Sequence, residues 1–236
     1  MTNRYPRLHT AGNGVLEGVL DLHAIFDGEE RRDEFQVRIA APPDYPDSMP
    51  SLLETGMRTA EIAAKYGIED LRDLHRNPVI GTACLCVKPE EGRRFPKGAN
   101  LPHFIEELVV PYLFGLSHFD EHGRWPWPDY SHGALGIAEY YADIAEDPSI
   151  GSISSMLDLL RQDTSWRELR KQIRKPSAMR MCVCGSRRAI SRCHKGVWAG
   201  IIKLNSDMQE LDLDVRRTLL REGSTRVISR WEGANC

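Results

Sequence analysis

No apolar run in this 236-residue chain approaches the roughly 20 residues that a membrane-crossing helix requires, which excludes a helical span. The opening residues, MTNRYPRLHTAGNG, lack the apolar centre of a secretion signal, so the expected location is the cytoplasm. Internal repeats and low-complexity tracts are missing too, which excludes a repeat array. A net charge of −3 and a pI near 6.3 leave none of the positive excess that broad attraction to nucleic acid needs. The Lys/Arg-rich stretch from Arg167 to Arg192 is a local exception. With 41% hydrophobic and 28% charged residues, the composition is that of a folded chain that is neither disordered nor membranous. There are six cysteines. In a reducing compartment, close-set cysteines point to metal or catalysis before disulfides.

The length suits one domain with an appendage or two small domains. Residues 14 to 55 carry strand patterns: GVLDLHAIF alternates, DGEERRD reads as a polar hairpin turn, and EFQVRIAAP alternates again. The prolines of PPDYPDSMP forbid helix and central strand, which predicts an extended crossing into a short strand at Ser51 to Glu54. TAEIAAKYG predicts a short helix stopped by Gly67. From Leu101 the spacing turns helical, with Pro111 kinking or dividing the segment. GRWPWPDYSHG reads as a packed Trp/Pro loop and GALGIAEYYADIAED as the next helix. Ile153 to Ile173 is amphipathic and broken near Asp163 to Ser165, and one or two further helices run from Asn205 to the end. Strands first and helices afterwards predict an α+β fold. The expected division is 1–150 for the main domain, 151–176 for a helical connector and 177–236 for a small module with a C-terminal helix.

The clearest chemistry lies in MCVCGSRRAISRCHKG. Cys182, Cys184, Cys193 and His194 offer three thiolates and an imidazole, a complete tetrahedral set for zinc. Four protein ligands close the coordination sphere, so the zinc is expected to be structural. Gly185 permits a tight turn, and Arg187, Arg188, Arg192 and Lys195 supply positive charge beside the thiolates. These residues resemble the SEC-C motif, Cys-x-Cys-Gly-Ser followed by a basic stretch and Cys-His, at every ligand position. In that family the module is an appended interaction element.

A second pair of cysteines lies in LHRNPVIGTACLC. In an extended run Cys84 and Cys86 share one face and Leu85 takes the other, so periodicity alone does not choose between them. A shared metal lacks further ligands apart from His75. A redox pair would prefer two intervening residues at a helix start, and two small buried hydrophobes remain the plain alternative.

Together, Pro42, Pro43, Tyr45, Pro46 and Pro50, then His75, Asn77, Pro78, Gly81, Cys84 and Leu85, resemble the ubiquitin-conjugating-enzyme family, especially its bacterial branch, over roughly residues 14 to 145. The family order His-Pro-Asn reads His75-Arg76-Asn77-Pro78 here. The resemblance implies an antiparallel sheet with flanking helices and a transferase that carries an acyl group as a thioester on Cys84. It also implies three partners: a ubiquitin-like modifier or other protein C-terminus, an activating enzyme and a target protein. Bacterial relatives occur in antiphage defence, which is the setting implied. Asn77 would donate to the oxyanion without changing charge. His75 would order the turn. His132, read as lying in the first turn of a helix capped by Ser131, would stay neutral and take a proton from the incoming amine. His118, Asp120 and His122 could ligate metal but read better as solvated loop residues. The rival reading is a non-enzymatic adaptor that binds a ubiquitin-like partner and docks through its zinc module.

Overall fold

The sheet follows from alternation. In the structure, a computed structural model that describes residues 4–144 and 149–220, four strands form an antiparallel meander in the order β1-β2-β3-β4. They are β1 (Leu8–Gly12), β2 (Val15–Phe26), β3 (Glu29–Ala40) and β4 (Ser51–Glu54). Leu16, Leu20 and Leu22 of β2 and Phe35, Val37 and Ile39 of β3 point to one buried face, as a period of two requires. The β2–β3 hairpin is tighter than the sequence predicts. Phe26 pairs with Glu29 across Asp27-Gly28 alone, and both turn residues have positive φ, 50° and 81°, the geometry that matches strand twist. The polar run EERRD therefore continues as strand. Strand β1 carries no alternation strong enough to be predicted.

The proline crossing leads into β4 as expected. Helix α1 (Arg58–Tyr66) follows, and Gly67 ends it in the left-handed conformation with φ 65°. Next come the short α2 (Glu91–Arg94), α3 (Leu101–Phe104) and α4 (Val110–His122). Between α3 and α4, Ile105–Val109 form a π-helical turn. This turn lets the helical path continue into Pro111 at the start of α4, where a missing N–H costs least. Asp33 lies on the inward register of β3 and accepts from Arg58 Nη2 and Ser117 Oγ, each at 2.8 Å, tying the sheet to α1 and α4.

The remaining helices are α5 (Ala134–Ile144), α6 (Ile150–Leu160), α7 (Trp166–Arg174), α8 (Ile190–Cys193), α9 (Lys195–Gln209) and α10 (Leu213–Leu219). The break between α6 and α7 falls where predicted, with Asp163 Oδ1 accepting from the backbone and hydroxyl of Ser165. Chain contacts divide the molecule after Asp129, not at 150. Among the described residues, the first unit holds 4–86 and Glu90–Asp129; the second holds Val87–Pro89, 130–144 and 149–220. The expected connector and C-terminal module are not separate bodies, because Ile153, Leu157, Leu169, Cys182, Ile190, Val197 and Ile201 share one core with α5. Of the stretch from Asn205 to the end, expected to hold one or two helices, the end of α9 and all of α10 are seen, and residues 221–236 lie outside the described residues. Among the described residues, no helix is long and apolar enough to cross a membrane.

Helices α5 and α9 approach closely at Gly200, where an added Cβ would lie 1.7 Å from the carbonyl oxygen of Ala138. Helix propensity favours alanine over glycine by about 1 kcal/mol, yet Gly200→Ala must push two backbones apart. We expect a net loss of about 2 kcal/mol, read as a lower urea midpoint for the second unit. An unchanged or raised midpoint would show that the helices do not meet there.

Candidate functional site

Two short segments carry the chemistry. In the second unit, Met181 and Ala189 form an isolated antiparallel bridge, and the Cys182 N–H donates to Arg188 O at 2.8 Å. The intervening loop reverses through Gly185 and Arg187, with φ 81° and 58°. Cys193 then rides on α8, and His194 sits between α8 and α9. The four ligand atoms of Cys182, Cys184, Cys193 and His194 lie within 4.8 Å of one another. Cys184 Sγ is 3.6 Å from Cys193 Sγ, and Cys182 Sγ is 3.2 Å from His194 Nδ1. Ligands of one tetrahedral zinc stand about 3.5–3.8 Å apart, given the usual bond lengths, so the set fits a metal ion. The Ser186 hydroxyl lies 3.1 Å from Cys184 Sγ and 3.0 Å from Cys193 Sγ, where it can donate to either sulfur and orient it. Burial pushes the Cys182 thiol up to about 12. At Cys184 burial acts the same way but is outweighed by hydrogen bonds, chiefly from Ser186, which bring it down to about 7.

In the first unit, the opening motif folds back on itself. A 3₁₀ turn at Leu71–Leu74 ends in His75, whose φ of 49° reverses the chain. The Asn77 N–H then donates to Thr82 O at 2.8 Å, and the Cys84 N–H to His75 O at 2.7 Å. Ala83 ties this loop to β4 through Leu52 O at 2.8 Å. Asn77 is 5% exposed, and its Oδ1 accepts from the Val79 and Ile80 N–H groups at 2.9 and 3.2 Å. Those two bonds fix which side of the amide carries its NH₂ donors. His75 Nε2 lies 3.0 Å from Asp129 Oδ2, and the ring meets Trp125 edge-on at 4.6 Å. Asp129 and Trp125 carried no sequence signal linking them to His75, because about fifty residues separate them along the chain. Trp125 donates Nε1–H to Asp73 O, and Trp127 stacks on Phe114, so this loop is packed as expected.

The structure thus brings His75, Asn77 and Cys84 together. The loop does not present Cys84 to solvent, since it is 8% exposed. Strand alternation also fails after Ala83. Leu85 packs on the core as predicted, but Cys86 packs there too, since the chain bends at Cys86 instead of running straight.

His132 belongs to the second unit, whereas Cys84 belongs to the first. It precedes α5 instead of opening it, and the first helical N–H, that of Ala134, meets Asp163 Oδ2 at 3.1 Å. The Ser131 N–H donates to Glu139 Oε2, so the helix start is arranged by two carboxylates. His118, Asp120 and His122 are not loop residues. All three lie on α4, with His118 buried and Asp120 held by Arg58 and Lys65.

The chain matches no family model, no curated protein and no solved structure. Function therefore rests on the residues themselves.

Proposed function

We propose that this chain is a ubiquitin-conjugating-like transferase in which Cys84 carries a protein C-terminus as a thioester, joined to a structural zinc knuckle. The observation that carries the proposal is the hydrogen-bonded return of Cys84 onto the His75-Arg76-Asn77 turn, with the Cys84 N–H on His75 O at 2.7 Å. That return sets the sulfur-bearing residue beside an amide side chain whose orientation is fixed. In the proposed reaction, the reduced Cys84 thiolate attacks the incoming thioester carbonyl and expels the donor thiolate. A target amine then attacks the new thioester, loses its proton to solvent and releases Cys84 as thiolate. Asn77 is the proposed donor to the oxyanion formed in each step. Cys182, Cys184, Cys193 and His194 would hold zinc, whose role is to fix the knuckle.

The adaptor reading is favoured by one observation: Cys84 is buried. Fully reduced protein incubated with a small-thiol thioester of a ubiquitin-like protein separates the two readings. Intact mass should show one acyl adduct on wild type and on Cys86→Ser, released by added thiol. Cys84→Ala should lose at least nine-tenths of that adduct, and Cys84→Ser should give a thiol-resistant ester or none. Loading that survives Cys84→Ala but fails in Cys86→Ala would move the assignment. No loading of reduced wild type would leave the adaptor.

A further inference from the structure

The hairpin tip and the C-terminal end of α4 bring together a second group of metal-ligating side chains. Glu29 opens β3, and His118 and His122 lie four residues apart on α4, so both rings occupy one helix face. One ligand atom from each of the three lies within 4.8 Å of the others, and the two rings are 4.4 Å apart. His118 is 7% exposed. Its Nδ1 lies 2.9 Å from Arg124 O. A carbonyl only accepts, so Nδ1 carries a proton, and in the neutral ring Nε2 is the nitrogen with the lone pair. This is the outer hydrogen bond by which metal-bound histidines are oriented. That Nε2 stands 3.6 Å from Glu29 Oε2, too far for a hydrogen bond but near the spacing of two ligands on one ion.

We propose that Glu29, His118 and His122 form a second metal site, taking a divalent transition ion such as Zn²⁺, Co²⁺ or Ni²⁺. Two imidazoles and a carboxylate suit these borderline ions better than Mg²⁺ or Ca²⁺. Three protein ligands leave coordination open, and the site adjoins an open cavity of about 490 Å³ lined by Glu29, Arg31, Ser117, Glu121 and His122 among others. The site has a built-in competitor. Arg31 pairs with Glu29 Oε1 and donates to His122 Nε2 at 3.2 Å, while also reaching Glu121 Oε2 at 3.0 Å. Its guanidinium occupies His122 Nε2 and the other oxygen of the Glu29 carboxylate, so it holds two of the three side chains an ion would take. Binding therefore requires Arg31 to yield these acceptors, and Glu121 already offers it another partner.

The test uses the reduced full chain, first given one equivalent of Zn²⁺ to fill the cysteine cluster, then titrated calorimetrically with further Zn²⁺. Wild type should take a second equivalent, retained in Cys193→Ser, which loses only the first. His122→Ala and Glu29→Gln, both at partly exposed positions, should weaken the second equivalent at least tenfold while far-UV circular dichroism stays unchanged. Arg31→Gln should tighten it several-fold. No second equivalent in wild type, or one indifferent to His122→Ala and Glu29→Gln, overturns the site. An Arg31→Gln affinity no tighter than wild type overturns the competition.

Discussion

With the zinc proposed for the cysteine cluster bound, Cys193→Ser should abolish that binding and destabilise the second unit by several kcal/mol, because structural zinc contributes on the order of 10 kcal/mol of apparent folding energy in small modules. The reason lies in how little else holds the knuckle. Between Met181 and Ala189 it has one isolated bridge and a few loop hydrogen bonds, and its loop passes through two positive-φ residues. The effect should not stop at the loop. Cys182 and Ile190 lie in the same core as Val197, Ile201, Leu169 and Ile173, so loosening the knuckle exposes the packed faces of α7 and α9. Hydrogen exchange is the direct measurement. Amides of Cys182, Ile190 and α9 should lose protection in Cys193→Ser and in chelator-treated wild type, while β2 and β3 keep theirs. Full protection of α9 without metal would show that the apolar core alone suffices.

Glu54→Ala should be among the costliest single changes in the first unit, at about 3–5 kcal/mol, lowering its unfolding temperature by roughly 10 °C. Glu54 follows Leu52 by two residues on β4, so strand alternation turns its carboxylate inward. There Oε2 accepts from the Thr59 N–H at 3.1 Å and the Thr59 hydroxyl at 2.9 Å, in the first turn of α1. Arg76, one residue before Asn77, lies 3.8 Å away. Removing the carboxylate leaves two buried donors unsatisfied and a half-buried guanidinium without its counter-charge. Glu54→Gln keeps one acceptor and should cost less than half as much. Calorimetry of the two variants checks the ordering, and equal losses would mean that the retained acceptor contributes nothing and that the charge alone carries the effect.

Local rules reached a long way into the fold. The strands from 15 to 54 were legible because apolar residues alternate, and α1 because Gly67 stops it. The break near Asp163 was legible because polar turn residues interrupt the helical spacing. The hairpin at Asp27-Gly28 was misjudged in length, since charged residues on an exposed strand edge look like turn until the partner strand is known. Strand β1 was missed for a similar reason: only Leu8 of its five residues is buried, so pairing with β2 and not side-chain pattern defines it. The unit boundary was misplaced because α5 shares its apolar face with α9, some sixty residues later, and sequence gives no sign of that pairing.

The sequence by itself determined the α+β order of elements and the Cys182, Cys184, Cys193 and His194 set, whose close spacing needs only a local reversal to converge. It also determined the adjacency of Cys84 to the His75-Asn77 turn, again within one short loop. Only the tertiary structure decided that His75 meets Asp129, that Cys84 is buried while Cys86 packs on the core, and that His132 falls in the other unit. Only tertiary structure brought Glu29 to His118 and His122. His75 and Asp129 are 54 residues apart, and Glu29 is about ninety residues from His118 and His122. Chain periodicity says which way a side chain faces its own strand or helix, whereas the partner across the gap is set by how separate elements pack.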